Sequence, residues 1–355
     1  MRRILKYFLF GFLIFIFVLG GYFFLGSAPA TEKITWGVNF SQKHSQLLGL
    51  DWKENYLALL DDLKAKNIKL ITHWDLIEPK KDQYFFDDLD WQIKTAEEKG
   101  AKLLLVIGMK TGRWPECHIP GWAKDLTKKE QQKEILELLE QIVLRYRGRP
   151  PVNFWQAENE PFFPFGECPW VDKKFLEKEI ELVKSLDLKN RPIIISDSGE
   201  GSFWIQAAKF GDIVGTTMYK KVWFTPLEIL NKIQKLTNGP KFLTGFHQLG
   251  FYIHYPFPPI FYWRKAQLIE KIFGKKVIVV ELQAEPWGPK LLYELPLKEQ
   301  EKSMNLRQFQ ENIEFAKKTG LDAFYLWGGE WWYWMKVKQN NSRIWEEARN
   351  LFIRQ

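Results

Sequence analysis

A single eight-stranded (β/α)8 barrel, an α/β fold, is what this sequence predicts, and three observations predict it. Strand-like and helix-like segments alternate without a break from about residue 34 onward. The short apolar runs number eight, which suits a closed barrel better than an open doubly wound sheet of about six strands. The 355 residues also exceed the roughly 250 that one such barrel typically takes.

Taken in order, Ile34–Phe40 reads as the first strand, and Trp52–Lys66 as a helix with apolar residues near helical spacing. Ile68–Trp74 is the second strand, and Phe86–Lys99 a helix stopped by Gly100. Ala101–Ile107 is the third strand, and the helix Lys128–Arg147 comes after it. Val152–Glu158 and Lys173–Leu186 form the fourth unit; Pro192–Ser196 and Phe203–Lys209 form the fifth. Ile213–Met218 is the sixth strand, with its helix at Phe261–Phe273. Val277–Val280 is the seventh, trailed by the helix Leu297–Lys318, which Gly320 ends. Ala323–Leu326 is the eighth, and Ser342–Phe352 closes the ring. These strands are near-continuous apolar runs, the signature of parallel strands covered on both faces.

An irregular, aromatic-rich insertion interrupts the sixth unit at about residues 225–260. It reads as a helical stretch, Thr225–Asn238, and an aromatic segment, Phe246–Trp263. A connection this long is expected to be a lid or a binding element. In a domain held near a bilayer, Phe251, Tyr252, Phe257 and Phe261 are an alternative interfacial contact.

Residues 1–6 are a basic flank, and residues 7–25 form an uncharged run of 19 residues, long enough to span a bilayer. They read as a single-pass transmembrane signal anchor with a cytoplasmic N-terminus, joined by a linker at 26–33 to an extracytoplasmic domain at 34–355. Cleavage near Ala30, within Ala28-Pro29-Ala30, and secretion is the alternative. The two cysteines, Cys117 and Cys168, fall in the loops after the third and fourth strands; one disulfide or two free thiols fit the sequence. The net charge of +8 comes from lysines spread over helices rather than gathered in a stripe, so nucleic acid is not an expected partner. The five histidines lack the spacing of a zinc hydrolase, and no metal or cofactor is expected.

Chemistry concentrates at two strand ends. The run Val152–Ala157 leads into Glu158-Asn159-Glu160-Pro161, and Val277–Val280 leads into Glu281. Barrels of this class place their chemistry at the C-terminal ends of strands. Two carboxyl groups facing each other there match the pair that retaining glycosidases use, one as acid/base and one as nucleophile. Glu158, two residues before Glu160, is expected to add negative charge and raise its pKa. The 17 Trp supply stacking surface for sugar faces; Trp36, Trp114 and Trp287 are expected to pack in loops, with further subsites as the alternative.

Asn159-Glu160-Pro161 after a fourth strand resembles the motif of clan A glycoside hydrolases, the (β/α)8 clan of cellulases, xylanases and β-galactosidases. The resemblance covers roughly residues 34 to 330. It implies a β-linked oligo- or polysaccharide substrate, with Glu160 as acid/base, Asn159 at the sugar 2-hydroxyl and Glu281 as nucleophile. It further implies Tyr219 beside the nucleophile and Trp327 as the floor of the subsite. Trp74-Asp75-Leu76-Ile77-Glu78-Pro79 is similar to the second-strand loop of several families of the clan. Many members carry on that strand an Arg that bonds the nucleophile. This strand reads Lys69-Leu70-Ile71-Thr72-His73-Trp74, so His73 or Trp74 is expected in that space, as a substrate-binding residue. Glu285 is a rival nucleophile on the next loop. A non-catalytic glycan-binding barrel of the cell envelope, or a transglycosylase using the same glutamates, fits the same residues.

Overall fold

The computed structural model describes residues 2–225 and 250–354. Its centre is a closed barrel of eight parallel strands: β1 (Thr35–Ser41), β2 (Asn67–Ile71), β3 (Lys102–Ile107), β4 (Val152–Ala157), β5 (Ile193–Asp197), β6 (Ile213–Met218), β9 (Val277–Gln283) and β10 (Ala323–Trp327). Around the ring the order is β1-β10-β9-β6-β5-β4-β3-β2. β4 and β9 are therefore three steps apart, across the mouth from one another.

Alternation along the strands separates two cores. Leu104, Val106, Ile194, Ile278, Val280, Tyr325 and Trp327 fill the barrel interior. Leu103, Leu105, Ile107, Ile193, Ile195, Val277 and Val279 face the surrounding helices. One position breaks the alternation. Both neighbours of β9 skip a residue there: Thr216 and Thr217 of β6 pair with Val279 and Glu281, and Phe324 and Leu326 of β10 pair with Val279 and Leu282. A bulge of this kind inserts one residue and re-aims the side chains beyond it. Val280 faces the interior and Leu282 the helices, so the inserted step lets Glu281 join the interior side at the mouth.

Polar caps set the helix starts. Asp51 accepts from Lys53 N and Glu54 N ahead of Trp52–Asp61, and Thr127 with Glu130 forms a capping box for Lys128–Tyr146. The helix expected at Leu297–Lys318 is two, Leu297–Gln300 and Leu306–Lys317, because Asn305 caps the second through Gln308 N. Gly329–Lys338 is helical without a separate apolar stripe, so periodicity gave no sign of it.

In the sixth unit, β7 (Lys221–Phe224) pairs antiparallel with β8 (Phe251–His254). The expected helix Thr225–Asn238 lies, Thr225 apart, outside the described residues. An N-terminal helix spans Arg2–Phe24. Among the described residues no helix is long and apolar enough to cross a membrane, so the span expected at residues 7–25 finds no support there. The end of this helix packs on the barrel's outer layer: Phe23 meets Phe203 and Phe261 at 5.6 and 5.9 Å, and Phe24 meets Phe261 at 5.5 Å. Phe261 is thereby buried, which removes it from the alternative interfacial contact, and the half-buried Phe257 stacks on it at 4.4 Å. Cys117 and Cys168 form a disulfide, Cα–Cα 5.2 Å, tying the loop after β3 to the loop after β4.

Candidate active site

The turn after β4 is held in an uncommon backbone shape. Glu158 and Glu160 have φ of 60° and 43°, a left-handed conformation that costs a non-glycine residue of order 1–3 kcal/mol. Side chains of β4 itself, of β5 and of the loop after β3 stabilise it. Gln156 Nε2 donates to Asn159 Oδ1 at 2.9 Å, and Ser196 Oγ of β5 accepts from Glu160 N at 2.8 Å. Lys110 Nζ donates to the carbonyls of Glu160 and Phe163 at 3.0 and 2.8 Å.

Across the mouth, Glu281 is 3% exposed and held by two donors. Lys69 Nζ lies 2.9 Å from its Oε1, and Tyr219 OH lies 3.1 Å from its Oε2. The same ammonium donates to Asn159 Oδ1 at 3.1 Å, so one buried cation joins the two strand ends. Lys69 thus occupies the space expected for His73 or Trp74. His73 Nε2 is 3.0 Å from Ser41 Oγ, its ring edge-on to His118. Trp74 is fully buried and donates to Glu78. Neither bonds Glu281. The sequence did carry a signal for Lys69: a lysine between two core residues, Ile68 and Leu70, is seldom buried unless paired.

Glu160, 8% exposed, has its pKa raised well above the ordinary carboxyl value. Burial is the main cause, and the nearby charge of Glu281 is the next; Lys110 opposes, while Glu116 and Glu200 add to the rise. Glu158 is not the partner expected for this role. Its carboxylate points to the loop after β3 and accepts from Met109 N and Lys110 N at 2.7 and 2.6 Å. It also bonds Glu179, whose pKa burial and then Glu158 raise well above normal.

Trp327 ends β10, with Lys69 Nζ 5.4 Å and Arg113 Cζ 4.1 Å from its ring centroid. Arg113 bonds Glu285 and, at 2.7 Å, Glu330, whose other oxygen accepts from Ser41 N. Burial raises the Glu285 pKa to about 7, against the pull of Arg113. Tyr219 begins an aromatic row: Trp287 at 5.2 Å, Phe165 5.5 Å further, then Trp114, which is 38% exposed.

Sequence reasoning missed Glu116 as well as Lys69. Glu116 lies on the disulfide-tied hairpin after β3, 6% exposed and bonded to Asn159. Burial raises its pKa to about 7, against Lys110 and with Glu281 adding to the rise. Among the described residues one trio could offer carboxylates to a metal: Glu78, Asp82 and Glu134, with ligand atoms within 4.8 Å. Lys81 already supplies a counter-charge there, 2.9 Å from Glu134.

No family model matches the chain. Its fold is similar to that of xylanase 10B from Thermotoga petrophila RKU-1, solved with xylobiose: 16% identity over 83% of this chain and 82% of that one, TM-score 0.50. It is also similar to a GH5_18 variant from Bifidobacterium longum subsp. longum solved with Manβ1-4GlcNAc: 14% identity, 83% and 68% coverage, TM-score 0.54. A third similar structure is the β-galactosidase of the Antarctic haloarchaeon Halorubrum lacusprofundi: 13% identity, 83% and 52% coverage, TM-score 0.51. This chain spans about half the length of that β-galactosidase. The barrel thus resembles those of clan A glycoside hydrolases, and at these identities the likeness is one of fold.

Proposed function

We propose that this chain is a retaining glycoside hydrolase cleaving β-glycosidic bonds. The observation that carries the reading is the asymmetry of the two glutamates. Glu160 is driven toward its protonated form by burial and by Glu281, whereas Glu281 receives hydrogen bonds from Lys69 and Tyr219. A buried, protonated carboxyl facing a carboxylate held by two donors divides the acid and nucleophile roles.

In the first step Glu160 gives its proton to the glycosidic oxygen while a Glu281 oxygen attacks the anomeric carbon and the aglycone leaves. In the second, Glu160 takes a proton from water, and the resulting oxygen displaces Glu281 from the sugar. Lys69 holds one Glu281 oxygen and Tyr219 the other, which fixes the orientation of the carboxylate for attack. Glu285, already bound by Arg113, serves the subsite beside Trp327 rather than the chemistry. The aromatic row from Tyr219 to Trp114 offers stacking faces for further sugar units of an oligo- or polysaccharide.

The reading includes an extracytoplasmic site tethered through residues 7–25. The disulfide favours an oxidising compartment, and the basic flank before an uncharged run favours a cytoplasmic N-terminus.

The test is aglycone release from a panel of aryl β-glycosides by the full chain in mild detergent, beside Glu281→Gln. Release by the wild type with a loss of about 10⁴-fold in the variant is expected. Equal rates in both would remove Glu281 as nucleophile.

A further inference from the structure

Glu116 is a carboxylate of the cleft whose position costs the fold several local concessions and which the two-step chemistry of Glu160 and Glu281 does not use. It sits in a tight hairpin in which Lys110 bridges Cys117, and it takes a left-handed φ of 73°. The disulfide pins the adjacent Cys117 to the loop after β4. Gly166 of that loop has no room for a side chain, because a Cβ there would lie 2.5 Å from Glu116 Cβ. All of this presses the carboxylate against Asn159, within the field of Lys110, Glu281 and Lys69.

One part of the Glu116 carboxyl is engaged with the Asn159 side chain. Its Oε2 is buried and has no hydrogen-bond partner among the described residues, a condition it shares with Glu285 Oε2. A buried acceptor left unpaired is costly enough to be rare in a native structure, and Glu160 and Glu281 share this cleft. The surrounding carboxyls Glu116, Glu160, Glu281, Glu285 and Glu330 outnumber the cations Lys69, Lys110 and Arg113. A donor, not an acceptor or an anion, is what such a cleft recognises.

We propose that Glu116 is a substrate-contacting, specificity-determining residue. Its free oxygen accepts a hydrogen bond from a donor substituent, hydroxyl or ammonium, on the sugar seated between Glu160 and Glu281. This rests on the glycosidase reading for the identity of the ligand.

The experiment is a substrate–variant cycle on the full chain. Wild type, Glu116→Gln and Glu116→Ala are assayed on the accepted aryl β-glycoside and on its 2-deoxy, 3-deoxy and 2-amino-2-deoxy analogues. Melting temperature and thiol titration verify that each variant is folded with its disulfide closed; Glu116→Gln is the conservative fallback. Loss of the donor from the sugar is expected to lower wild-type kcat/KM about 10- to 100-fold, chiefly through KM, and to lower that of Glu116→Ala hardly at all. A wild-type preference for the amino analogue that disappears in Glu116→Gln identifies ammonium as the donor. Coupling to a deoxy position without that preference identifies a hydroxyl. Variants that discriminate against the deoxy analogues as strongly as the wild type would overturn the proposal and leave Glu116 as a support for Asn159. If the wild type hydrolyses nothing, the glycosidase reading fails on its own. Calorimetric titration with glucose, glucosamine and xylobiose then decides: weaker binding by Glu116→Ala upholds the contact, while equal binding, or none by the wild type, overturns it.

Discussion

Glu158 and Glu160 stand two residues apart after β4, equally buried and both in left-handed backbone, yet their surroundings use them in opposite ways. Glu158 spends both oxygens on the backbone N–H groups of Met109 and Lys110 and shares a proton-bearing contact with Glu179. Glu160 faces Glu281 across the barrel mouth, and the like charge there, not a fixed donor, dominates the surroundings of its carboxyl group after burial. A carboxylate saturated by fixed donors is part of the frame; one destabilised by a like charge is poised to give up or take a proton. The same contrast separates Glu179, neutralised against Glu158, from Glu281, which a buried lysine holds.

The sharpest way to break this contrast is to make the same change at both positions. Glu160→Gln is expected to lower kcat/KM about 10²- to 10⁴-fold, least for aryl substrates whose leaving group needs no proton. Glu158→Gln is expected to keep most of the activity and instead lose about 1–3 kcal/mol of stability, because one buried N–H loses its acceptor. Aglycone release and urea unfolding of the two variants check this. A collapse of catalysis in folded Glu158→Gln would end the division of roles.

Lys69 sharpens the second half of the contrast. It is wholly buried, and its ammonium is what joins Glu281 to Asn159. Lys69→Met keeps the volume and removes the charge, leaving Glu281 in the interior without its cation. The expected cost is about 3–5 kcal/mol in denaturant unfolding. A variant as stable as the wild type would mean that Glu281 does not depend on that ion pair.

How much of this was legible in the sequence depends on the kind of signal each feature leaves. The eight strands were readable because each is apolar on both faces, and Glu160 and Glu281 were readable because they stand just after such runs. The bulge in β9 left no mark in the hydrophobic pattern, although it decides which way Glu281 points. The partners of Glu158 come from the loop after β3 and from the helix Lys173–Leu186, contacts that proximity in sequence to Glu160 concealed. Glu116 was hidden for a similar reason: its place beside Asn159 depends on the disulfide and on Gly166, both set by the folded loops.

The hairpin after β3 connects the two carboxylate pairs, since Glu158 holds its first residues and Glu116 sits near its end. Replacing both Cys117 and Cys168 by Ser opens a 51-residue separation and is expected to cost about 2–4 kcal/mol. The effect on chemistry should be unequal. The frame around Glu158 keeps its backbone bonds, whereas Glu116 loses the tie that presses it toward Asn159. Calorimetric melting, together with the Glu116-dependent discrimination between parent and deoxy glycosides, tests this. Unchanged discrimination in the double serine variant would show that the hairpin keeps its shape without the bridge.

A last effect bears on the frame alone, and it grows with pH. The pKa of Glu179 is raised by burial first and by Glu158 second, from an ordinary value of 4.5. The native state therefore holds a proton that the unfolded chain has already released above that value. Stability from this group is complete below about pH 4.5 and declines as pH rises toward the native pKa, at about 1.4 kcal/mol per pH unit. Glu179→Gln keeps a neutral donor beside Glu158 at every pH and removes the decline. Urea unfolding from pH 5 to pH 8 should show the variant gaining on the wild type as pH rises, with the aryl-glycoside pH profile unmoved. If the activity profile shifted with it, Glu179 would belong to the reacting network through Glu158, and the separation between frame and chemistry would have to be redrawn around all four glutamates.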